Sequence, residues 1–478
     1  MPKSINDLKQ EVSVLIQKQR LNKALCIIEN HVACIVTNPL CTANVFGSQV
    51  LDDLCQEIGL ENAKALIGVS NSPINAAEQD TFIYIASKIQ ASGGHTRLIA
   101  QLINERPNAQ HLIIITGIAG RSDIKYFNNF ISTSAHYAIQ ELGKGSRIKK
   151  LTQLQNKLLR ISYTNIYLLN HHQDSIAVAA VAVVADKKTI FYHHGDHHLS
   201  LGVHMKNVIH VDMHPMGFNT CRNQCGITNN YYLPLFIQDR GVLEGREFLK
   251  EGYLVTCTAA RANKIEIPYF AQYTHVIPML LKETGGKHIH IGKLGWTARL
   301  KIKFNLWRLC VDQKRFIYLP WSESVWNTLG QYHVDAYIAS FPYGGGLTLI
   351  EAMGSATPVI LHQHIYSDVL SGIALAPLNT FHWRYPSDLL NYCKSLTSSI
   401  LEDQSIRVRA HYKQFYSNYQ PYHDPTSCES IVSKQNFLMA PQDEIATWID
   451  KQTTITKQVK LFVRRVLLKA RAFIHNTF

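Results

Sequence analysis

SFPYGGGLTLIEAMGSATPVI, residues 340–360, reads as a buried strand ending at Ser340, three consecutive glycines at Gly344, Gly345 and Gly346, and a helix opening at Leu347 that leads into the apolar run PVI. Strand, glycine turn, helix and strand in that order form the repeating unit of a parallel α/β sheet. Backbone amides of a glycine loop at a helix N-terminus suit phosphate oxygens, because the donors are free and the helix dipole points toward the anion. One turn further in, the carboxylate of Glu351 has the reach to accept both hydroxyls of a ribose. A glycine run that only makes a tight turn is the other reading of the same residues.

Outward from this stretch the same alternation continues in both directions. Upstream, YLVTCTA (253–259), a helix around Tyr269 to Lys282, HIHIG, RFIYLPW and DAYIAS (335–340) form one series that closes with PVILHQ. An earlier series holds FIYIAS (82–87), a helix from Thr96 to Glu105, HLIIITGI (111–118), IYLLNHH, the apolar segment from Ser175, TIFYHH and NVIHVDM. Between them lies a polar stretch bearing Gly and Pro, from Met213 to about Gly252. Two consecutive doubly wound α/β domains are therefore expected, with ligands at the carboxyl ends of their strands and chemistry in a cleft between them. Residues 1 to about 70 carry helical periodicity instead, with Leu8, Val12, Leu15 and Ile16 on one stripe and Leu51, Leu54 and Ile58 on another.

Composition sets the outer bounds. The chain has 478 residues, 46% of them hydrophobic and 17% charged, which fills large cores and excludes a disordered or collagen-like chain. A net charge of +13 with 23 His favours anionic company such as nucleotides, nucleic acid or acidic lipid. The basic runs at 147–160 and 457–471 lack interleaved aromatics of the single-strand-binding kind, so nucleic acid is not the expected partner. Ten scattered cysteines point to a reducing compartment, and Cys221 and Cys225 have the wrong spacing for a CxxC motif and read as structural. No signal-peptide apolar region opens the sequence, and the run Ile176 to Ala185 is too short to span a bilayer. A cytoplasmic location is expected. The end of the chain, KQVKLFVRRVLLKARAFIHNTF (457–478), has an apolar helical face and a basic remainder; it suits an anionic membrane surface, or else a terminal helix packed on the first domain.

GLTLIEAMGSATPVI resembles the GLxxxEAMxxGxPV element of GT-B glycosyltransferases, specifically the retaining, nucleotide-sugar-dependent group with an E-x7-E element. Glu351 falls on the second glutamate of that element, while the first falls on Tyr343, where this group uses a carboxylate beside the reacting carbon of the donor sugar. The resemblance implies two Rossmann-like domains facing a cleft and a donor site built from Tyr343, Gly344, Gly345, Gly346, Leu347, Thr348 and Glu351. Lys264, with Arg261 second, would then lie on the leaving diphosphate. In the first series ASGGHTRLIAQLI puts Gly93 and Gly94 at a helix entry with His95 at the cleft mouth, where the family approaches the donor phosphates or the acceptor.

FYHHGDHHLSLG (191–202) crowds five titratable side chains at a strand end. It is similar to strand-end N/H-H-A/G-D-H patterns of bacterial GT-B enzymes, which implies that His194, Asp196 and His197 line the site. An imidazole there can stabilise a leaving diphosphate or position an acceptor hydroxyl, and an aspartate can act as base or fix the imidazole tautomer. The same residues fit the last half of the HxHxDH signature of metallo-β-lactamase-type hydrolases, with Tyr192 where the first histidine would stand; a single metal ion is the alternative they leave. His193 and His198 read as hydrogen-bonding loop residues. The sequence has no DxD, P-loop or GxGxxG motif, so no obligatory metal or other cofactor is expected.

The expectation is thus a glycosyltransferase that moves a sugar from a nucleotide-diphosphate sugar to a glycan or lipid-linked acceptor, of the kind used in polysaccharide or lipopolysaccharide biosynthesis. A metal-dependent hydrolase and a non-catalytic nucleotide-sugar-binding protein are the alternatives. The expected organisation is a helical extension over 1–75, an acceptor domain over 76–235, a donor domain over 236–440 and a basic amphipathic helix over 441–478.

Overall fold

The computed structural model describes residues 4–418 apart from 37–42, 44, 68–79, 91–93, 126, 185–187, 268 and 366. Gly93 and the segment 441–478 therefore lie outside the described residues. The described chain divides into two compact units between Phe236 and Ile237.

The first unit opens with three helices, α1 (Ile5–Gln17), α2 (Leu21–Val36) and α3 (Gln49–Ile67). It continues with β1 (Thr81–Ala86), α4 (Gly94–Asn104), β2 (Gln110–Ile115), β3 (His136–Glu141), α5 (Arg147–Arg160), β4 (Asn165–Leu169), α6 (Ser175–Ala180), β5 (Lys188–His193), β6 (Val208–Asp212), α7 (Pro215–Asn223) and β7 (Tyr231–Tyr232). All its strand pairs are parallel, in the order β3-β2-β1-β4-β5-β6-β7. The chain winds outward from β1 to β3 and then restarts beside β1 with β4. The gap between β1 and β4 is the switch point, where ligands of such sheets bind.

The second unit contains β8 (Val255–Ala259), α8 (Ala262–Ile265), α9 (Tyr273–Thr284), β9 (Lys287–Ile291), α10 (Trp296–Arg308), β10 (Phe316–Leu319), α11 (Val325–Gln331), β11 (Ala336–Ile338), α12 (Leu347–Gly354), β12 (Val359–His362), β13 (His382–Trp383), α13 (Pro386–Ser395) and α14 (Ser398–Phe415). Its parallel order, β10-β9-β8-β11-β12-β13, places the switch point between β8 and β11. Both units are thus Rossmann-like α/β folds. The glycine run follows β11 and Arg261 follows β8, so both lie at the switch point of this unit.

The N-terminal helices are part of the first unit's core. Leu8, Val12, Leu25, Ile28, Leu54 and Ile58 share one buried cluster with Leu151, Leu154 and Leu158 of α5, Ile176 to Ala180 of α6, and Ile83, Ile85 and Ile114 of the sheet. The basic run at 147–160 is therefore a packing helix, capped by Ser146, whose side chain accepts the Lys149 amide. Arg147 pairs with the buried Glu29 at 3.0 Å, and Ser175 donates to the same carboxylate at 2.9 Å. The apolar segment from Ser175 is helical because Asp174 caps it through the Ala177 amide and the segment is rich in alanine. α3 meets it so closely that a side chain at Gly59 would lie 1.9 Å from the Ala179 carbonyl oxygen. Among the described residues no helix is long and apolar enough to cross a membrane.

Asp52 of α3 ties these helices to the loop that follows β5. It is 1% exposed, and its carboxylate accepts the amides of Gly202 at 2.7 Å and His204 at 2.8 Å. Burial, opposed by these two amides, pushes its carboxyl from 3.8 up to about 6. Since the folded value lies above the ordinary one, the stability linked to this group is full below 3.8 and is lost as pH rises through about 6. Replacing Asp52 with Ala leaves two buried donors without a partner, at roughly 1–3 kcal/mol each. Thermal unfolding should show a drop of several degrees and a weaker pH dependence between those values; an unchanged Tm would mean that water serves the two amides equally well.

Candidate functional site

In the second unit the chain leaves β8 through Arg261, which is exposed and caps α8. Its carbonyl accepts the Lys264 amide at 3.0 Å, and this tight turn aims Lys264 at the glycine loop: Nζ donates to the Gly344 carbonyl at 2.6 Å, and the Lys264 carbonyl accepts the Tyr343 amide at 3.4 Å. The loop itself is held from three sides. Ser340 Oγ donates to the Tyr343 carbonyl at 2.7 Å, the Gly344 amide donates to the Leu370 carbonyl at 2.7 Å, and Tyr337 donates to Thr348 Oγ1 at 3.0 Å. Glycine is required here by space: a Cβ on Gly344 would stand 2.5 Å from the Ser371 carbonyl, and one on Gly345 would stand 2.7 Å from Thr348 Oγ1 and 3.8 Å from Lys264 Nζ.

Gly346 caps α12 and brings no side-chain acceptor to the amides of Leu347 and Thr348 in the first turn. A helix start with uncapped amides beside an ammonium group is an anion site by its chemistry. Glu351 lies deeper than its spacing suggests, 6% exposed, with Oε2 accepting the Trp326 amide at 3.3 Å in the first turn of α11. The carboxylate thus has one structural task whatever else it binds. Tyr343 has its ring 6.1 Å from that of His364, which stacks on Tyr269 at 4.7 Å. The Tyr269 hydroxyl in turn meets His362 Nε2 at 2.9 Å and the Ile365 amide at 3.0 Å. Burial, reinforced by His362, holds the His364 imidazole well below its ordinary pKa, so it is neutral. Tyr269 and His364 add an aromatic wall beside the loop that the reading of PVILHQ as a plain strand does not anticipate.

In the first unit one buried carboxylate organises the switch point. Asp174 Oδ2 accepts Ser87 Oγ at 2.5 Å and Thr116 Oγ1 at 2.6 Å, and Ser87 Oγ accepts the His171 amide at 2.8 Å. The ends of β1, β2 and β4 are thereby tied together, and His171 and His172 follow at once. α4 begins at Gly94, and Thr96 Oγ1 near its start both donates to the Gln90 carbonyl and accepts the Gln90 amide. This delivers His95 against His194, ring centroids 3.9 Å apart, and against His171 at 4.8 Å. A side chain on Gly94 would be 3.7 Å from His194 Cε1, so the two sequence-expected loops do meet.

His197, 41% exposed, lies 3.1 Å from Asp196 Oδ1 through Nδ1, and His172 approaches His198 at 5.2 Å and His197 at 6.0 Å. Burial, then the neighbouring imidazoles, drive His194 down to about 4 and His172 to about 3, with His95 also far below its ordinary value. Asp196 goes the other way from what burial would do: burial raises it, but His214, His197 and His193 hold it at about 2. The result is a set of neutral imidazoles around a fixed carboxylate, able to accept a proton or to take up an anion together with protons. His171 and His172 belong to this set, and the signal for them was the NHH that ends the IYLLNHH strand.

His193 and His198 part company. His198 stays with the loop, its ring 4.3 Å from that of His197. His193 turns inward, 1% exposed, to Asp212 at 2.9 Å, and joins His210 and Cys221 there. Among the described residues this is the single set of three or more potential metal ligands whose donor atoms converge, and His194, Asp196 and His197 are not in it.

No protein-family model matches this chain, and no curated protein sequence matches it. Its fold does have solved counterparts. It is similar to the apo form of the lipopolysaccharide outer core galactosyltransferase WaaB, at 14% identity over 72% of this chain and 99% of that one, with a TM-score of 0.51. HepE from Anabaena in complex with UDP and glucose matches at 12% identity over 70% and 95%, TM-score 0.51. A glycosyltransferase from Rickettsia africae matches at 11% identity over 72% and 96%, TM-score 0.52. The chain shares its α/β fold with these three proteins.

Proposed function

We propose that this chain is a glycosyltransferase that moves a sugar from a nucleotide-diphosphate sugar to a glycan or lipid-linked acceptor. The observation that carries the reading is the glycine loop at the second unit's switch point, where the uncapped start of α12 and the Lys264 ammonium converge on one place. The diphosphate is taken by Lys264, with Arg261 assisting, and by the amides at Gly346, Leu347 and Thr348. Tyr343 takes the place of the carboxylate near the donor sugar and offers a hydroxyl where the group has a charge. His194, Asp196 and His197 serve the transfer step, and Gly94 and His95 line its approach. Leaving-group charge is met by the ammonium, loop amides and helix dipole. The fold shared with WaaB and with HepE, which was crystallised with UDP and glucose, supports the same reading.

A thermal-shift screen of UDP, GDP, ADP and CMP conjugates, with and without added divalent ions, tests it. At least one nucleotide sugar should raise Tm without added metal, and a chain that no member of the panel stabilises is not a transferase of this kind. Glu351 distinguishes ribose recognition from its support of α11. Glu351→Gln should weaken a ribonucleotide diphosphate about tenfold more than its 2′-deoxy analogue, as expected for losing a hydrogen bond to a charged group. Equal weakening of both ligands by calorimetry would exclude a ribose contact by Glu351.

A further inference from the structure

Where β5 and β6 end side by side, His193 stands opposite Asp212 in register. His210 precedes Asp212 by two residues and so projects to the same face of β6. Cys221 reaches the pair from the second half of α7, and none of the four residues is more than 2% exposed. Their donor atoms close into a small polyhedron. Asp212 Oδ1 lies 2.9 Å from His193 Nδ1 and 3.3 Å from His210 Nε2. Cys221 Sγ lies 3.4 Å from His193 Nδ1, 3.5 Å from Asp212 Oδ1 and 3.7 Å from His210 Nε2.

We propose that His193, His210, Asp212 and Cys221 form a structural zinc site. Tetrahedral zinc holds nitrogen, oxygen and sulfur at about 2.0–2.3 Å, which sets neighbouring ligand atoms roughly 3.3–3.7 Å apart. Four of the five separations above fall in that interval, and two imidazoles with one thiolate and one carboxylate form a ligand set that suits zinc.

Hydrogen bonds alone leave the cluster crowded around one oxygen. Asp212 Oδ1 is approached by three groups that would each have to donate to it, and a ring N–H directed at that oxygen is not directed at the sulfur that also lies beside it. A cation at the centre takes one lone pair from each of the four atoms. The surrounding residues prepare Asp212 for this. Its other oxygen accepts Asn230 Nδ2 at 2.6 Å, and Arg222 Nε donates to Asn230 Oδ1 at 2.8 Å, which fixes the direction of the amide. An outer hydrogen bond of this kind is the usual support of a ligating carboxylate.

Charge balances as well. Binding releases the Cys221 thiol proton to solvent and leaves both imidazoles neutral, so thiolate and carboxylate together cancel the two charges of the ion. All four positions are protein ligands, and no position remains for a water. The ion therefore staples β5, β6 and α7 together and does not activate a nucleophile, in contrast to the hydrolase that the HHGDHH stretch suggests. Its benefit to the loop is positional: α7 packs on that loop closely enough that a side chain at Gly217 would meet Asp196 Cβ at 2.5 Å.

The full chain, purified from zinc-supplemented cells without a metal-binding tag, should contain near-stoichiometric zinc by elemental analysis. Chelation should lower Tm by at least about 5 °C, since a ligand bound only by the folded state stabilises it. Exchange for Co²⁺ should produce a thiolate-to-metal charge-transfer band that Cys221→Ser abolishes and Cys225→Ser keeps. Background zinc with a Tm indifferent to chelator overturns the proposal, as does a cobalt spectrum of the wild-type chain without a sulfur band, a result that needs no variant to fold. A band that vanishes with Cys225 instead of Cys221 overturns the ligand set.

Discussion

Replacing Lys264 with Ala should weaken binding of a nucleoside diphosphate by roughly tenfold to over a hundredfold, the equivalent of about 1.5–3 kcal/mol for one hydrogen bond to a charged group. The fold should survive, because the Gly344 carbonyl that Nζ meets at 2.6 Å lies in a half-buried loop where water can replace the ammonium. Arg261→Ala should do less: Arg261 is exposed and its backbone, not its side chain, shapes α8. Gly345→Val attacks the same site by volume, since its Cβ begins 2.7 Å from Thr348 Oγ1 and its methyls extend toward Lys264 Nζ. Isothermal titration with UDP, GDP and ADP gives the reading. If both Lys264→Ala and Gly345→Val bind the preferred diphosphate as the wild type does, the donor site is elsewhere.

His194→Ala should lower the turnover of sugar transfer by about 10² or more, the usual weight of a positioned acid, base or charge stabiliser. Its pH profile carries more information than its size. Burial and the imidazoles of His171 and His193 hold His194 at about 4, while Asp196 pulls it up. A neutral His194 acting as proton acceptor should thus put the acidic limb of the wild-type profile near that value and not near the ordinary imidazole value of about 6.5. Asp196→Asn removes the upward pull, so the limb should move to still lower pH as turnover falls. Undiminished turnover in His194→Ala, or a limb at the ordinary imidazole pH, would remove His194 from the mechanism. Zinc should remain in His194→Ala, because its ring is outside the converging ligand set; zinc and activity lost together in this variant would speak for the hydrolase.

The sequence carried the periodic parts of this structure well and the convergent parts poorly. Largely buried strands such as FIYIAS and HLIIITGI announce themselves by apolar runs between turn residues, and GGGLTLIEAM announces a strand-to-helix turn by composition alone. β3, His136–Glu141, gave no such signal because it is an edge strand whose residues alternate between exposed and half-buried. Periodicity could not assign the segment from Ser175, since every residue of α6 is buried and no face is polar. The zinc ligands illustrate the general difficulty. His193, His210, Asp212 and Cys221 are spread over 29 positions with no motif spacing, and only the parallel register of β5 on β6 brings the first three together. Histidine-rich strand ends were visible, but which imidazoles turn inward depends on that register.

The shared core of α1, α2 and α3 with the first sheet also determines how this unit comes apart. Helices that contributed only a surface layer could melt on their own and leave the sheet intact. Here Leu25, Ile28 and Ile58 are completely buried in the same cluster as Ile83 and Ile114, and Asp52 is bonded into the loop beyond β5, so neither layer keeps its interior when the other leaves. The two layers therefore open as one cooperative unit, with amide protection in the helices rising and falling with that of the central strands. A protease that cuts before β1 would release no independent α/β domain, because the sheet left behind would expose the apolar face these helices cover.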